Sequence, residues 1–478
     1  MTRAAENPSV LSTRRGKLIL ALLCSVAFID SVDAVIVNVA LPSIQRGLGF
    51  PDAQGLQWVA TGYLLAYGGL MLLGGRAADL IGRRRVLVTG VILFALASLV
   101  GGLAPTAALL VGARIVQGAG AALMMPAALS LVTTLFEGPA RHRAIGIWGG
   151  VIGLATAAGV LLGGVLTDTV GWRAILLINP IIGVVILAAI FRLLPDDRRR
   201  APHGFDVLGA VLSTSGLVLL VWAVVEAPHA GWGSLNTIVR LAGAVLLLVA
   251  FVANESRAKT PLLPLSIFRL RGVAAANLVQ LVAIAGLYGW FFVVTLYMQD
   301  VLGYSPLAAG LAYLPATAGI AVGALATTKL IPRVGTRPVI VSGSVIASVG
   351  VLLMSFHLPV HGHYAADLLP GLIVMSVGLG FVLASVTNAA TAGVPIETQG
   401  LAAAMVTCCI QLGGAMGIAV LTTVATSRTT DLLAAGAPTP DATTGGFSRA
   451  LLVGGLIIAA AAVIGLRTNN TRSTEASV

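Results

Sequence analysis

Apolar runs of about twenty residues recur along this chain, and no other feature restricts its fold as tightly. A helix rises 1.5 Å per residue, so a run of that length crosses the ~30 Å hydrocarbon core of a bilayer. Lipid offers the backbone no hydrogen-bond partners, which leaves helices or closed barrels as spanning structures. Barrel strands are shorter and alternate in polarity, and these runs do neither. Charged residues make up only 10% of the 478 residues, against about a quarter in a water-soluble protein. The expected fold class is therefore all-α: a polytopic membrane protein. The runs number 14, placed at roughly 18–41, 55–75, 86–104, 107–131, 144–166, 174–194, 205–225, 236–254, 273–298, 306–328, 337–356, 366–390, 400–425 and 447–466.

Basic residues test that count, because Lys and Arg concentrate in cytoplasmic segments. With the N-terminus inside, Arg3, Arg14, Arg15, Lys17, Arg76, Arg83, Arg84, Arg85, Arg141, Arg143, Arg192 and Arg198 to Arg200 all fall inside. So do Arg257, Lys259, Arg269, Arg271, Lys329, Arg333, Arg337, Arg467 and Arg472, which brings the total to 23 of 29 basic residues. Arg46, Arg173, Arg240, Arg428 and Arg449 fall outside, and Arg114 lies within a span. An even number of spans with both termini cytoplasmic fits this asymmetry. The net charge of +11 then reflects topology, and no nucleic-acid partner is expected. The polar, basic segment before the first run, with no small-residue cleavage site after it, reads as the start of an uncleaved first span.

A faint repeat divides the chain. The turn after span 2, Asp79-Leu-Ile-Gly82-Arg83-Arg84, and the turn after span 10, Pro332-Arg-Val-Gly335-Thr-Arg337, share the Gly and the second Arg at one offset. Six spans precede residue 200 and six follow residue 270. The expected organisation is an N-terminal six-helix half (1–200), an inserted helix pair (201–260) and a C-terminal six-helix half (261–478), an arrangement suited to a transporter.

Ionisable groups inside the spans are scarce and therefore informative. Span 1 carries Asp30 and Asp33, and span 4 carries Arg114. A charge at mid-membrane costs ~2.5–3.5 kcal/mol on insertion scales, so such residues line cavities or pair with one another. The two acids are three residues apart and share a helical face. Burial and mutual repulsion work against their ionisation and a nearby arginine works for it, a balance suited to proton coupling. A static buried ion pair that fixes helix packing is the plainer alternative. The turn from Gly75 through Asp79, Gly82, Arg83 and Arg84 carries more than a positive-inside turn requires, namely an acid among its basic residues. Gly75 is expected to allow close helix approach, Asp79 to sit near the start of span 3, and Gly82 to make the turn. In span 5, Gly153, Gly159, Gly163 and Gly164, with Gly146, Gly149 and Gly150, form a smooth surface for helix packing. Span 9 clusters Asn277, Gln280, Tyr288, Trp290 and Phe291, an aromatic wall with a few amides that suits a lipophilic or cationic ligand and equally suits packing with an interfacial aromatic belt. Asn38, Trp58, Tyr63, Gln117, Asn388 and Gln411 complete the candidate substrate-binding set.

The three cysteines, Cys24, Cys408 and Cys409, lie in apolar runs and form neither a disulfide framework nor a metal spacing. His357, His361, His363 and Asp367 share an outside loop without ligand spacing, so no metal is expected there.

Together these motifs resemble the major facilitator superfamily, and within it the fourteen-helix drug/proton antiporter branch of the EmrB/QacA type. The turn from Gly75 to Leu87 is similar to that superfamily's best-known loop motif, which implies a cytoplasmic conformational lock at Gly75, Asp79, Gly82, Arg83 and Arg84. Asp33-Ala-Val-Ile-Val-Asn38-Val-Ala-Leu-Pro42 resembles the first-helix signature of the fourteen-helix branch. Arg114-Ile-Val-Gln117-Gly118 resembles the motif whose arginine is tied to proton coupling. Gly171-Trp172-Arg173 with Asn179-Pro180, and the segment Pro261 to Phe268, are similar to the approaches to spans 6 and 9 in that branch. The departures are Leu80 where a basic residue is usual, Val35 where a threonine is common, Asp30 as an additional acid, and Val160 in place of the proline of the span-5 antiporter motif.

The resemblance implies a proton-coupled antiporter that exports small lipophilic or cationic compounds, as in multidrug efflux and antibiotic resistance. The alternative on the same fold is a proton-coupled transporter dedicated to one metabolite, either an exporter or an importing symporter. An enzyme is not expected, since one would need a nucleophile, metal or carboxylate pair arranged at a lipid–water face, and no loop exceeds roughly twenty-five residues. The expected partners are the lipid bilayer, a small-molecule substrate and protons. The proton gradient takes the place of a cofactor, and the protein is expected to act as a monomer. The preference for Arg over Lys and the abundance of Ala and Gly point to a bacterial plasma membrane, crossed many times.

Overall fold

The structure is a computed structural model that describes residues 13–136, 138–195, 206–258, 261, 272–356, 358–391 and 399–471. Fourteen helices in it are long and apolar enough to cross a membrane. They are α1 (Arg14–Leu48), α2 (Trp58–Ile81), α3 (Arg83–Gly102), α4 (Ala107–Leu135), α5 (Gly138–Thr169), α6 (Arg173–Leu193), α7 (Val207–Ala230), α8 (Leu235–Arg257), α9 (Val273–Leu296), α10 (Leu314–Val334), α11 (Thr336–Phe356), α12 (Leu369–Thr391), α13 (Gln399–Ala434) and α14 (Thr439–Gly465). No strand occurs among the described residues.

Several helices run past the apolar stretch that marks them. α1 continues through Pro42 to Leu48, where Gly49 at φ 68° closes the last turn onto Gln45. A wider turn, Tyr297–Val301, extends α9, and a separate short helix, Pro306–Ala312, precedes α10. Side-chain caps set many of the starts. Thr13 accepts from Gly16, Thr106 from Leu109, Asp206 from Gly209 and Ser305 from Ala308, each satisfying an N–H that the helix cannot.

The two halves repeat one packing scheme. In the first, α2 and α3 both lie on α4, α1 lies on α5, and α3 on α6; in the second, α10 and α11 lie on α12, α9 on α13, and α11 on α14. Glycine makes the closest of these crossings possible. Backbone of Ala122 on α4 fills the space that a Cβ on Gly74 would need. Gly74, and not Gly75, is thus the residue that lets α2 approach its neighbour. A Cβ on Gly75 would meet only Pro126, at an ordinary 3.7 Å. The pair α7 and α8 packs on itself and touches the core through α2 and α13, with the Thr214 hydroxyl donating to the Gly69 carbonyl at 2.9 Å.

The halves touch at the end away from the basic turns. At the far end, Gln299 donates to the Val39 carbonyl across the seam at 2.7 Å. There too, a Cβ on Gly164 would lie 2.9 Å from the Pro306 carbonyl, and one on Gly310 2.9 Å from the Val160 carbonyl. Residues 146, 150, 153, 157, 160 and 164 follow helical spacing and share one face of α5. That face is packed at Val160 and Gly164, but Gly146, Gly149, Gly150 and Gly153 have nothing within 4 Å of a built Cβ. Gly153 is therefore not a packing glycine here, whereas Gly159 and Gly163 lie against the backbone of Val32 and Ile36 on α1.

Candidate functional site

The two span-1 acids face α2 and α4, and the structure gives them different surroundings. Asp33 is fully buried and forms an ion pair with Arg114 of α4 at 2.5 Å, with Arg114 itself 1% exposed. Its other oxygen accepts from Gln117 at 2.9 Å and from Asn179 of α6 at 2.6 Å. Asn179 also donates to Ser98 of α3 at 2.9 Å, and Ser98 donates to the Leu176 carbonyl. Arg114 donates in addition to the Val59 carbonyl of α2 and to Gln117, and its guanidinium lies 4.2 Å from the centre of the Tyr63 ring. One carboxylate thus ties together α1, α2, α3, α4 and α6. An apolar pair of the same size could fill this space at less desolvation cost, so the arrangement suits a group whose charge changes during function.

Asp30, 4% exposed, bonds none of Arg114, Gln117 and Asn179 and meets that network only through Tyr63. Its two oxygens accept from the Tyr63 hydroxyl at 2.9 Å and the Tyr67 hydroxyl at 3.1 Å. The two tyrosines stand edge to face, with centroids 5.8 Å apart.

The candidate substrate-binding residues scatter. Tyr63 and Gln117 belong to the charge network. Tyr288 and Gln411 sit at the seam between α2, α9 and α13, where a Cβ on Gly414 would touch both Tyr288 and Leu64, and one on Gly68 would touch Gln411. Trp290 and Phe291 pack instead on Tyr313 beside the short helix, at centroid distances of 5.7 and 4.4 Å. Asn38 and Asn277 are buried and bond carbonyls of their own helices, at Ala34 and Val273. The carbonyl oxygen of buried Gln280 has no hydrogen-bond partner. Trp58 is half-buried at the start of α2, while Asn388 is exposed on α12 and bonds Ala384.

At the basic turn, Gly82 adopts φ 109° and joins α2 to α3, a conformation that favours glycine. Arg84 reaches the Phe191 carbonyl of α6 at 3.4 Å and lies over the Phe191 ring, and Arg83 is half-buried beside it. Asp79 lies in the last turn of α2 and not at the start of the third span, which begins at Arg83. Contrary to the expectation, Asp79 is therefore not a first-turn residue of α3. The side chain of Asp79 lies outside the described residues. His357 also lies outside them, and Asp367 caps the backbone N–H of His363 at 2.7 Å.

Sequence reasoning did not place Asn179, Ser98 or Tyr67 in the site. Asn179 had a signal of its own, as an amide beside Pro180 in an otherwise apolar span. Tyr67 follows Tyr63 by one helical turn on the same face. Ser98 had none, since serine is common in membrane helices.

The sequence model of the Major Facilitator Superfamily matches residues 23–418. The chain belongs to that superfamily. The Major Facilitator fold is also that of solved structures at low identity. They include an auto-inhibited POT family peptide transporter (TM-score 0.69, 15% identity, covering 96% of this chain and 99% of that one). Another is a bacterial homolog of the human lysosomal transporter Spinster in an inward-facing, unoccupied conformation (TM-score 0.67, 16% identity, 95% and 97%). Among related sequences, the puromycin resistance protein pur8 of Streptomyces alboniger is 42% identical over 89% of this chain and 85% of its own length. The cephamycin export protein CmcT of Amycolatopsis lactamdurans is 41% identical over 89% and 88%. The multidrug resistance protein Stp of Mycobacterium tuberculosis is 35% identical over 83% and 73%. This Major Facilitator chain is a multi-pass membrane transporter and not an enzyme.

Proposed function

We propose that this transporter exports antibiotic-like small molecules in exchange for protons, by alternating access. The observation that carries the proposal is the buried Asp33–Arg114 pair, held by amides from α4 and α6 at the point where five helices of one half meet. Protonation of Asp33 removes its charge and weakens its hold on Arg114, whose remaining anchors are Val59, Gln117 and the Tyr63 ring. That change in pairing favours one tilt of the halves, and substrate binding in the seam favours the other. The bare α5 face beside Gly146 to Gly153 supports a seam that opens toward the basic end, and Arg84 on Phe191 braces that end of the first half. The proton gradient, without a cofactor, drives the cycle. The bacterial organisms of the relatives support a bacterial plasma membrane, the basic-residue asymmetry supports cytoplasmic termini, and the presence of both halves in one chain supports action as a monomer.

A second reading has one observation in its favour. Relatives carry the names of single compounds, puromycin, cephamycin and tetracenomycin C, which fits an exporter dedicated to one metabolite as well as a broad one. Everted membrane vesicles test both. An imposed proton gradient drives uptake of a drug panel into vesicles holding the wild type, and Asp33→Asn abolishes that uptake while inserting normally. Normal proton-driven uptake by Asp33→Asn sinks the mechanism. Uptake of one compound alone selects the dedicated exporter.

A further inference from the structure

The basic-residue asymmetry assigns five arginines to the outer face, and three of them have partners. Arg46 donates to Ser43, Arg173 donates to the Ala104 carbonyl and lies over the Trp172 ring, and Arg240 pairs with Glu226 and lies over the Trp222 ring. Among the described residues, neither Arg428 nor Arg449 has a hydrogen-bond or ion-pair partner. Both line one cavity of about 680 Å³. It lies where the ends of α11 and α13 and the start of α14 meet the turn between α7 and α8, and none of its lining residues belongs to α1–α6. The cavity is thus apart from the seam between the halves and from the Asp33–Arg114 pair.

Its lining has the chemistry of a phosphate site with an apolar rim. Arg428 comes from α13 and Arg449 from α14, and arginine meets phosphate oxygens with a planar fork of donors. Asp431 lines the cavity as well, but it lies beyond 4.0 Å of either guanidinium, and two positive charges stand against its one negative. Thr423, also in the lining, is 5% exposed, and its buried hydroxyl has no hydrogen-bond partner. A buried hydroxyl left without a partner is costly and asks for an acceptor. Trp232 and Phe356, 57% and 73% exposed, complete the rim. Phe356 is the last residue of α11 and Trp232 lies in the α7–α8 turn. The cavity therefore sits at the depth where hydrocarbon gives way to headgroups, the level that tryptophan favours.

We propose that this cavity holds the phosphate headgroup of an anionic phospholipid. Arg428 and Arg449 take the phosphate, the Thr423 hydroxyl donates to one of its oxygens, and the glycerol and upper acyl chain lie against Trp232 and Phe356. The excess of positive charge in the lining selects an anionic headgroup over a zwitterionic one. A lipid seated here bridges the inserted pair to the second half, because Trp232 belongs to the former and the arginines to the latter. The proposal depends neither on the transported molecule nor on the direction of transport.

Photo-crosslinking of the purified full chain in nanodiscs tests it. A phosphatidylglycerol carrying a diazirine beside its headgroup labels the wild type, and peptide mass spectrometry finds the label around Trp232 and along the facing ends of α13 and α14. Arg428→Gln combined with Arg449→Gln lowers the label at these segments at least fivefold, while label at the basic turns of the opposite face is unchanged. Arg428→Lys combined with Arg449→Lys keeps at least half of it. On the wild type, a phosphatidylcholine probe of the same design labels these segments at least fivefold less, a comparison that needs no variant to fold. Excess unlabelled phosphatidylglycerol displaces the label, and inorganic phosphate at the same concentration does not. No label at these segments, equal label from the two probes, or equal label in the folded glutamine variant overturns the site. Displacement by inorganic phosphate as complete as by phosphatidylglycerol overturns the lipid in favour of a soluble phosphate. The export reading is decided by vesicle flux, which this measurement does not read.

Discussion

Replacing Asp33 with leucine would leave Arg114 as a cation 1% exposed with only neutral partners: the Val59 carbonyl, the Gln117 oxygen and the Tyr63 ring. Removing one member of a buried pair costs about 3–5 kcal/mol, because the surviving charge is left uncompensated. The converse change, Arg114→Leu, is milder. Asp33 then keeps two amide donors, Gln117 at 2.9 Å and Asn179 at 2.6 Å, and bonds of this charge-assisted kind are worth about 1.5–3 kcal/mol each. A loss of about 2 kcal/mol, below the ~3–5 kcal/mol of the converse change, is expected for Arg114→Leu, because the surviving carboxylate keeps both donors. The double variant strands neither charge. It should be no less stable than Asp33→Leu alone, which makes the coupling between the two positions about 2 kcal/mol or more. Unfolding in mixed detergent micelles, followed by the fluorescence of the six tryptophans, measures all three variants. Losses that simply add in the double variant, within ~0.5 kcal/mol, would falsify the account of Asp33 and Arg114 as one buried unit.

Three further outcomes follow from the same geometry. Asn179→Leu removes one donor from Asp33 and breaks the link to Ser98, so the same unfolding assay should show a loss of about 1–3 kcal/mol; no loss would mean that α6 does not brace the carboxylate. Gly74→Val places a side chain where Ala122 backbone lies and should destabilise the first half by about 1–3 kcal/mol, whereas Gly75→Ala, with only Pro126 at 3.7 Å, should stay within about 0.5 kcal/mol of wild type. Gly153→Leu adds bulk into open space, so stability should hold within about 0.5 kcal/mol while vesicle transport falls at least tenfold, because that face must close against the second half during the cycle; unchanged transport would show that it need not.

Much of the bundle could be read from the chain alone. Run length and the scarcity of charge are local properties, and a lipid solvent converts them directly into helices, so the count of fourteen needed no knowledge of packing. Asp33 and Arg114 stood out for the same reason, since each is a costly residue in its span. Helix ends were harder. α1 runs on to Leu48 and α13 to Ala434 because polar residues continue a helix beyond the bilayer as readily as apolar ones. Asp79 was assigned to the wrong side of its turn because Gly82, three residues later, makes the break. Gly75 and Gly153 looked like packing residues because small size at helical spacing is necessary for close approach but does not say that a neighbour has arrived. The span-9 aromatics looked like one wall, yet Tyr288 faces the seam and Trp290 and Phe291 face Tyr313, since neighbours on a helix point in different directions.

The two aspartates show where sequence stops and tertiary structure begins. Their spacing put them on one face of α1, and their rarity made them candidates for function; both facts follow from helical geometry and the cost of charge in lipid. Which partner each would take was undetermined, because that depends on where α2, α4 and α6 cross α1. The crossing brings Arg114, Gln117 and Asn179 to Asp33 and leaves Asp30 to two tyrosines. In the same way, the glycine face of α5 was plain in the chain, but only the placement of the short helix before α10 decided that it would be packed at Gly164 and bare at Gly153.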